Sequence, residues 1–144
     1  MSARSWTTEQ RQCIEARGGT VLVSAAAGSG KTAVLVQRVI DILTDRQNPV
    51  DANRILVVTF SNAAAEEMRR RIAQKLAERI AENPQDEWLR TQQLLLPRAR
   101  ISTIHSLCAN LVRTHFEKLG LPGEMRIADD AELNVLLNET VSDV

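Results

Sequence analysis

Residues 25–32 read Ala-Ala-Ala-Gly-Ser-Gly-Lys-Thr, and their types suit one task, the holding of a phosphate. The nucleotide-loop pattern G-x-x-x-x-G-K-[ST] is met at Gly30, Lys31 and Thr32, with Gly28 as a second glycine and Ala25 where the first is expected. A phosphate needs several backbone N–H groups turned inward, and a helix N-terminus supplies them with a favourable dipole. Glycines let the backbone curl round the anion without a Cβ in the way. Lys31 can set its ammonium on the β and γ phosphates, and the Thr32 hydroxyl can ligate Mg²⁺. Lys31 and Thr32 are therefore the candidate catalytic residues, and Ala27, Gly28, Ser29 and Gly30 join them as candidate nucleotide ligands. The plainer reading is a glycine-rich turn with Lys31 in solvent. The flanks favour the phosphate loop: a short apolar run precedes it and an amphipathic stretch follows.

Hydrolysis asks for more than a phosphate loop. It needs an acid on Mg²⁺, usually at the end of a neighbouring strand. The candidate strands run out into SAAAG, TFSNA and TIHSL, and none ends in an acid. Asp129 and Asp130 follow only the short run MRIA.

A second group of residues falls at two other strand ends. One strand ends Thr59-Phe60-Ser61-Asn62 and another Ser102-Thr103-Ile104-His105-Ser106. In open parallel sheets, ligand groups gather at the carboxyl ends of strands. A ring beside hydroxyls and amides is the equipment of a single-strand nucleic-acid track. Each residue also has an ordinary reading: Phe60 as core, Ser61 as a helix cap, His105 as a half-buried histidine, and Arg69, Arg70 and Arg71 as a solvated face paired with Glu66 and Glu67.

The elements that must position these groups are legible in outline. Residues 20–24, TVLVS, read as a buried parallel strand, and KTAVLVQRVIDILTD after the loop has helical apolar spacing. RILVVTF (54–60) is a second strand candidate, and Ser61 can cap a long helix from about Asn62 to Ala81. DEWLRTQQLLL predicts a short helix, ARISTI (99–104) a third strand, and 106–119 a helix ended by Gly120 and Pro122. MRIA predicts a brief extended piece and DDAELNVLLNETVSDV a last helix. Strands alternating with helices imply an α/β fold on a parallel sheet.

Composition bounds the rest. The 144 residues carry 18 basic and 18 acidic side chains, yet residues 1–116 hold 16 and 11 of them and residues 117–144 hold 2 and 7. A basic body and an acidic end therefore hide behind a net charge of zero. Cys13 and Cys108 stand far apart without metal-ligand spacing, which argues against a disulfide framework or zinc site and fits a reducing cytoplasm. No apolar run approaches the roughly 18 residues of a membrane span.

Taken together, these motifs resemble the start of a superfamily 1 DNA helicase of the UvrD/Rep/RecB type. Trp6-Thr7-Thr8-Glu9-Gln10 resembles the Q motif, AAAGSGKT motif I, VVTFSNAAAEEMRRRI motif Ia, and ISTIHSLC the next DNA-contacting motif. Order and spacing agree over nearly the whole chain, and the AddA helicase–nuclease branch is the nearest resemblance. The resemblance implies an incomplete P-loop NTPase (RecA-like) domain 1A over 1–144, with the last helix from about 129 leading toward an inserted subdomain. It implies ATP and Mg²⁺ as cofactors, Gln10 on adenine, and Thr59, Phe60, Asn62, Thr103 and His105 on or near DNA. The parent is expected to translocate 3′ to 5′, to carry a nuclease, to pair with an AddB-like partner on single- and double-stranded DNA, and to act in recombinational repair in a bacterial cytoplasm. Alone, the 144 residues are expected to be inactive. Three positions depart from the family pattern: Ala33 for a common arginine, Ser61 for threonine and Ala64 for lysine. A small P-loop kinase with a lid after Asn83, and a non-catalytic nucleotide- or DNA-binding module, are the alternatives.

Overall fold

Three helix starts in this chain are set by side-chain caps. The computed structural model describes residues 5–124, 126, 128 and 130–142. Helix α1 (Thr8–Glu15) opens on a capping box, in which Thr7 Oγ1 accepts from the Gln10 N–H at 3.3 Å and Gln10 Oε1 accepts from the Thr7 N–H at 3.1 Å. Helix α2 (Lys31–Thr44) follows the glycine loop. Strand β1 (Leu56–Thr59) leads to Ser61, whose Oγ accepts from the Ala64 N–H at 3.2 Å and starts α3 (Asn62–Glu82), one residue longer than its composition predicts. Asp86 caps α4 (Glu87–Leu95) through the Leu89 N–H at 3.1 Å, and a turn at Leu96–Arg98 containing Pro97 delivers the chain into β2 (Arg100–Thr103).

The described residues fall into two compact units, one ending at Ile104 and the other beginning at His105. In the first, β1 and β2 pair in parallel from Leu56↔Arg100 to Thr59↔Thr103, so both carboxyl ends share one edge. One face of this sheet, Val57 and Ile101, packs with α3. Ile40 and Leu43 of α2 and Ile72 and Leu76 of α3 are 0–1 % exposed. Each contributes on the order of 1.5–3 kcal/mol by leaving water. Gln92 of α4 is fully buried with both amide ends satisfied: Oε1 accepts from the Ala52 N–H at 2.7 Å, and Nε2 donates to Asp51 Oδ1 at 3.2 Å. Trp88 Nε1 donates to the Leu43 carbonyl at 2.7 Å, and its ring carries Arg46 at 5.4 Å, which also pairs with Asp86. That ion pair holds the Asp86 carboxyl below its usual range.

Two expectations are corrected. Residues 20–24 are not a strand: among the described residues nothing pairs with them, and Leu22 stands 93 % exposed. An apolar β-prone run becomes a strand only when a neighbour takes its N–H and C=O groups, and the sheet here has two strands, not three. The helix foreseen over 106–119 stops early. Helix α5 runs Ile104–Thr114, the His115 N–H divides between the Leu111 and Val112 carbonyls at 3.1 and 3.2 Å, and Phe116–Leu119 continues as a tighter 3₁₀ turn. Gly120, at φ +65°, then turns the chain. Residues 125 and 127 of MRIA lie outside the described residues, and α6 (Asp130–Ser142) follows as foreseen.

Candidate functional site

The loop before α2 has the backbone that its glycines allow. Gly28 and Gly30 sit at φ +77° and +85°, the left-handed region where a Cβ is strained. The Ser29 N–H closes a turn onto the Ala26 carbonyl at 3.3 Å, with Ala27 and Gly28 inside it. Gly30 heads α2 with no side-chain cap, and the first turn of α2 holds no acid. Its leading N–H groups are thus left for an outside acceptor, the condition for anion binding. Lys31 lies over the loop, its Nζ donating to the Ala25 and Ala26 carbonyls at 2.7 Å each. Thr32 is exposed on the first turn of α2.

Gln10 reaches the same loop from α1. Its Nε2 donates to the Ser29 carbonyl at 3.1 Å while its Oε1 holds the capping box. Between α1 and the loop lies a cavity of about 330 Å³, lined by Thr7, Gln10, Cys13, Ser24, Ser29 and Lys31 among others. At its rim the Glu9 carboxyl is held below its ordinary range, first by its own backbone N–H and then by the Thr7 hydroxyl, which donates to Oε2 at 2.8 Å. A larger groove of about 530 Å³ lies between α2 and α3, with Trp6 and Ala33 on its wall beside the charged residues of α3.

The fit to a nucleotide is good for phosphate and partial for metal. Loop N–H groups and Lys31 match a polyphosphate, and Thr32 offers one oxygen. Among the described residues no three His, Cys, Asp or Glu side chains cluster as a metal site.

The other predicted residues are placed as follows. Phe60 is 97 % exposed beyond β1, which removes the core reading. The Thr59 hydroxyl donates to the Ser61 carbonyl at 2.9 Å and shapes that corner, and Asn62 is exposed at the start of α3. Thr103 is paired in register with Thr59 but buried. His105 is exposed and belongs to the second unit. The arginine run takes the ordinary reading: Arg69 bonds Glu66 at 3.0 Å, and Arg70 and Arg71 both bond Glu67, at 2.8 and 2.6 Å. Those two guanidinium groups hold the Glu67 carboxyl down to about 2. Arg69 also donates to the Ile101 carbonyl at 2.8 Å, tying α3 to β2. The segment after Asn83 is a tight turn closed by the Asp86 N–H on the Asn83 carbonyl at 3.1 Å, so it does not form the lid of the kinase alternative. That Gln10 and Lys31 bind the loop's own carbonyls carries no signal in the sequence.

Known proteins resemble this chain over its length. The UvrD/REP helicase N-terminal domain family matches residues 6–144. A Thermoanaerobacter sp. (strain X514) protein, named as an ATP-dependent helicase/nuclease subunit, is 55 % identical over 131 residues, covering 91 % of this chain and 11 % of its own length. Proteins of the same name from Pelotomaculum thermopropionicum and Clostridioides difficile are 50 % and 46 % identical over 96 % and 100 % of the chain, again with 11 % of their own length covered. The chain thus spans about a tenth of these relatives. No helix among the described residues is long and apolar enough to cross a membrane.

Proposed function

The chain belongs to the UvrD/REP helicase N-terminal domain family, and from that premise we propose that it is the ATP-binding, single-strand-contacting part of RecA-like domain 1A in an ATP-dependent 3′–5′ DNA helicase/nuclease of the AddA type. The observation that carries this is the loop at 25–32: two glycines in left-handed geometry, an uncapped α2, and Lys31 poised over it. Loop N–H groups and Lys31 would hold the β and γ phosphates, Thr32 would give Mg²⁺ one ligand, and Gln10, beside the loop, would contact adenine. Mg²⁺ would take its remaining ligands from phosphate, water and the acid that hydrolysis requires. In the first unit Phe60 and Asn62 are the proposed direct DNA contacts, with Thr59 and Thr103 shaping the strand ends; His105 is proposed on the resemblance alone as a DNA contact of the second unit. The names of the relatives support a helicase/nuclease parent that works with another subunit; to this the proposal adds a bacterial cytoplasmic setting, recombinational repair of DNA ends, an AddB-like partner and a continuation of the last helix toward an inserted subdomain.

The test is nucleotide binding by the full-length product of the reading frame that carries this chain. A fluorescent ATP analogue is expected to bind with Mg²⁺, to lose at least about tenfold in affinity with Lys31→Ala, and to lose its Mg²⁺ dependence with Thr32→Ala. Undiminished binding by Lys31→Ala refutes the assignment.

A further inference from the structure

Helix α1 carries Gln10 to the phosphate loop, yet it is only eight residues long, with one buried residue, Ile14, and no basic residue in its own last turn. Its terminal carbonyls need donors from elsewhere. Arg38, on the third turn of α2, supplies them. Its Nη1 donates to the Cys13 carbonyl at 2.6 Å and approaches the Ile14 carbonyl at 3.4 Å. Arg17 adds to the same end, donating from Nη1 to the Ile14 carbonyl at 2.7 Å. A cation on the last carbonyls is also matched to the negative end of the helix dipole.

Helix α1 is therefore held to α2 at two points. At its N-terminal end Gln10 holds the Ser29 carbonyl, two residues before α2, and at its C-terminal end Arg38 holds the Cys13 carbonyl from α2 itself. Two anchors on one rigid helix fix both the distance and the tilt of α1. Ile14 alone is an apolar pivot, because apolar contact is not directional. We propose that Arg38 is a positioning residue for the nucleotide site: it seats α1 so that Gln10 braces the phosphate loop in the shape that receives a nucleotide. This rests on the reading of residues 25–32 as that loop.

The measurement is the dissociation constant of a fluorescent ATP analogue and its turnover, in the full-length product, for the unchanged protein and for Arg38→Ala, Arg38→Lys, Gln10→Ala and the double variant. Arg38→Ala and Gln10→Ala are each expected to weaken binding about 5- to 10-fold, with kcat changed far less than KM. The double variant is expected to be no weaker than the worse single one, because both losses pass through one contact. Arg38→Lys is expected to recover about half the loss in logarithmic terms, since one ammonium can still reach the Cys13 carbonyl. Should Arg38→Ala fail to fold, Arg38→Gln takes its place in the same cycle. Binding equal to the unchanged protein, or strictly multiplicative losses in the double variant, overturns the proposal while leaving the nucleotide reading intact. Failure of the unchanged protein to bind any nucleotide overturns both.

Discussion

Replacing Gln92 with leucine tests how β1, the strand that leads to Phe60, is held. The Gln92 side chain is fully buried in α4, and its two bonds fix the turn at Ala52–Arg54 that feeds β1. Leucine has nearly the same volume, so little cavity opens. The loss is polar. The Ala52 N–H lies in a fully buried residue and loses its acceptor, a desolvation cost of about 1–3 kcal/mol. Asp51 is half-buried, so water can replace the amide there. A net loss of about 2 kcal/mol is expected, and for a unit of this size that lowers Tm by about 8–16 °C. Gln92→Glu sharpens the test. Its carboxylate still accepts from the Ala52 N–H but meets Asp51 Oδ1, now 3.2 Å from the amide nitrogen. Like charges raise the pKa of the new carboxyl in the folded state. A raised carboxyl pKa gives stability that is present below its ordinary value of about 4.3 and is lost as pH rises through the folded value. Gln92→Glu should therefore recover on acidification, whereas the leucine deficit should be nearly constant with pH. Thermal melts followed by far-ultraviolet circular dichroism between pH 4 and 7 measure both. A leucine variant that melts within about 2 °C of the unchanged protein refutes the reasoning.

Three further outcomes are expected. Glu67, held down to about 2 by Arg70 and Arg71, gives stability that is present above its ordinary 4.5 and is lost as pH falls from there through about 2. Glu67→Gln should flatten that acid limb in pH-dependent melts and leave stability at pH 7 lowered. Phe60→Ala should weaken single-strand DNA binding by the full-length product by about 1–3 kcal/mol, with the salt slope unchanged because a ring, not a charge, is removed. Gly28→Ala meets no atom within 4 Å, so its cost is backbone strain alone at φ +77°, about 1–2 kcal/mol, and should appear in melts and in nucleotide affinity together.

What the sequence disclosed was local. Ser61 marks a helix start, and the structure uses it as a cap, as it also uses Thr7 and Asp86. The glycine–lysine–threonine run fixed the loop and the start of α2, because only glycine takes those dihedrals without strain. The ordinary reading of Arg69–Arg71 was legible from the glutamates three and four residues away. What stayed hidden depended on partners distant in the chain. Residues 20–24 have strand chemistry, but strand structure is a property of a pair. The exposure of Phe60 and burial of Thr103 follow from how β1 and β2 sit against α3, which residue type does not reveal. The early end of α5 at Thr114 came with a shift from four-residue to three-residue hydrogen-bond spacing, with no proline or glycine to announce it before Gly120.

The uncapped start of α2 is the clearest sign of where stability has been given up for chemistry. Thr7, Ser61 and Asp86 bring their helices a side-chain acceptor, an interaction of about 1 kcal/mol. Gly30 brings none, and the first turn of α2 has no acid to answer its dipole. Helix α2 tolerates this because its inward face, Val36, Val39, Ile40 and Leu43, is locked into the core. Lys31 meanwhile rests on two neutral carbonyls of its own loop, holding the loop's curvature. A phosphate oxygen carries the charge opposite to that of Lys31, which a carbonyl does not, so on the proposed reading an arriving polyphosphate would draw Lys31 off Ala25 and Ala26. The same phosphate would satisfy the N–H groups that no cap has taken. Loop, lysine and bare helix start thus leave one incomplete set of hydrogen bonds, and a polyphosphate is the ligand we propose to complete it.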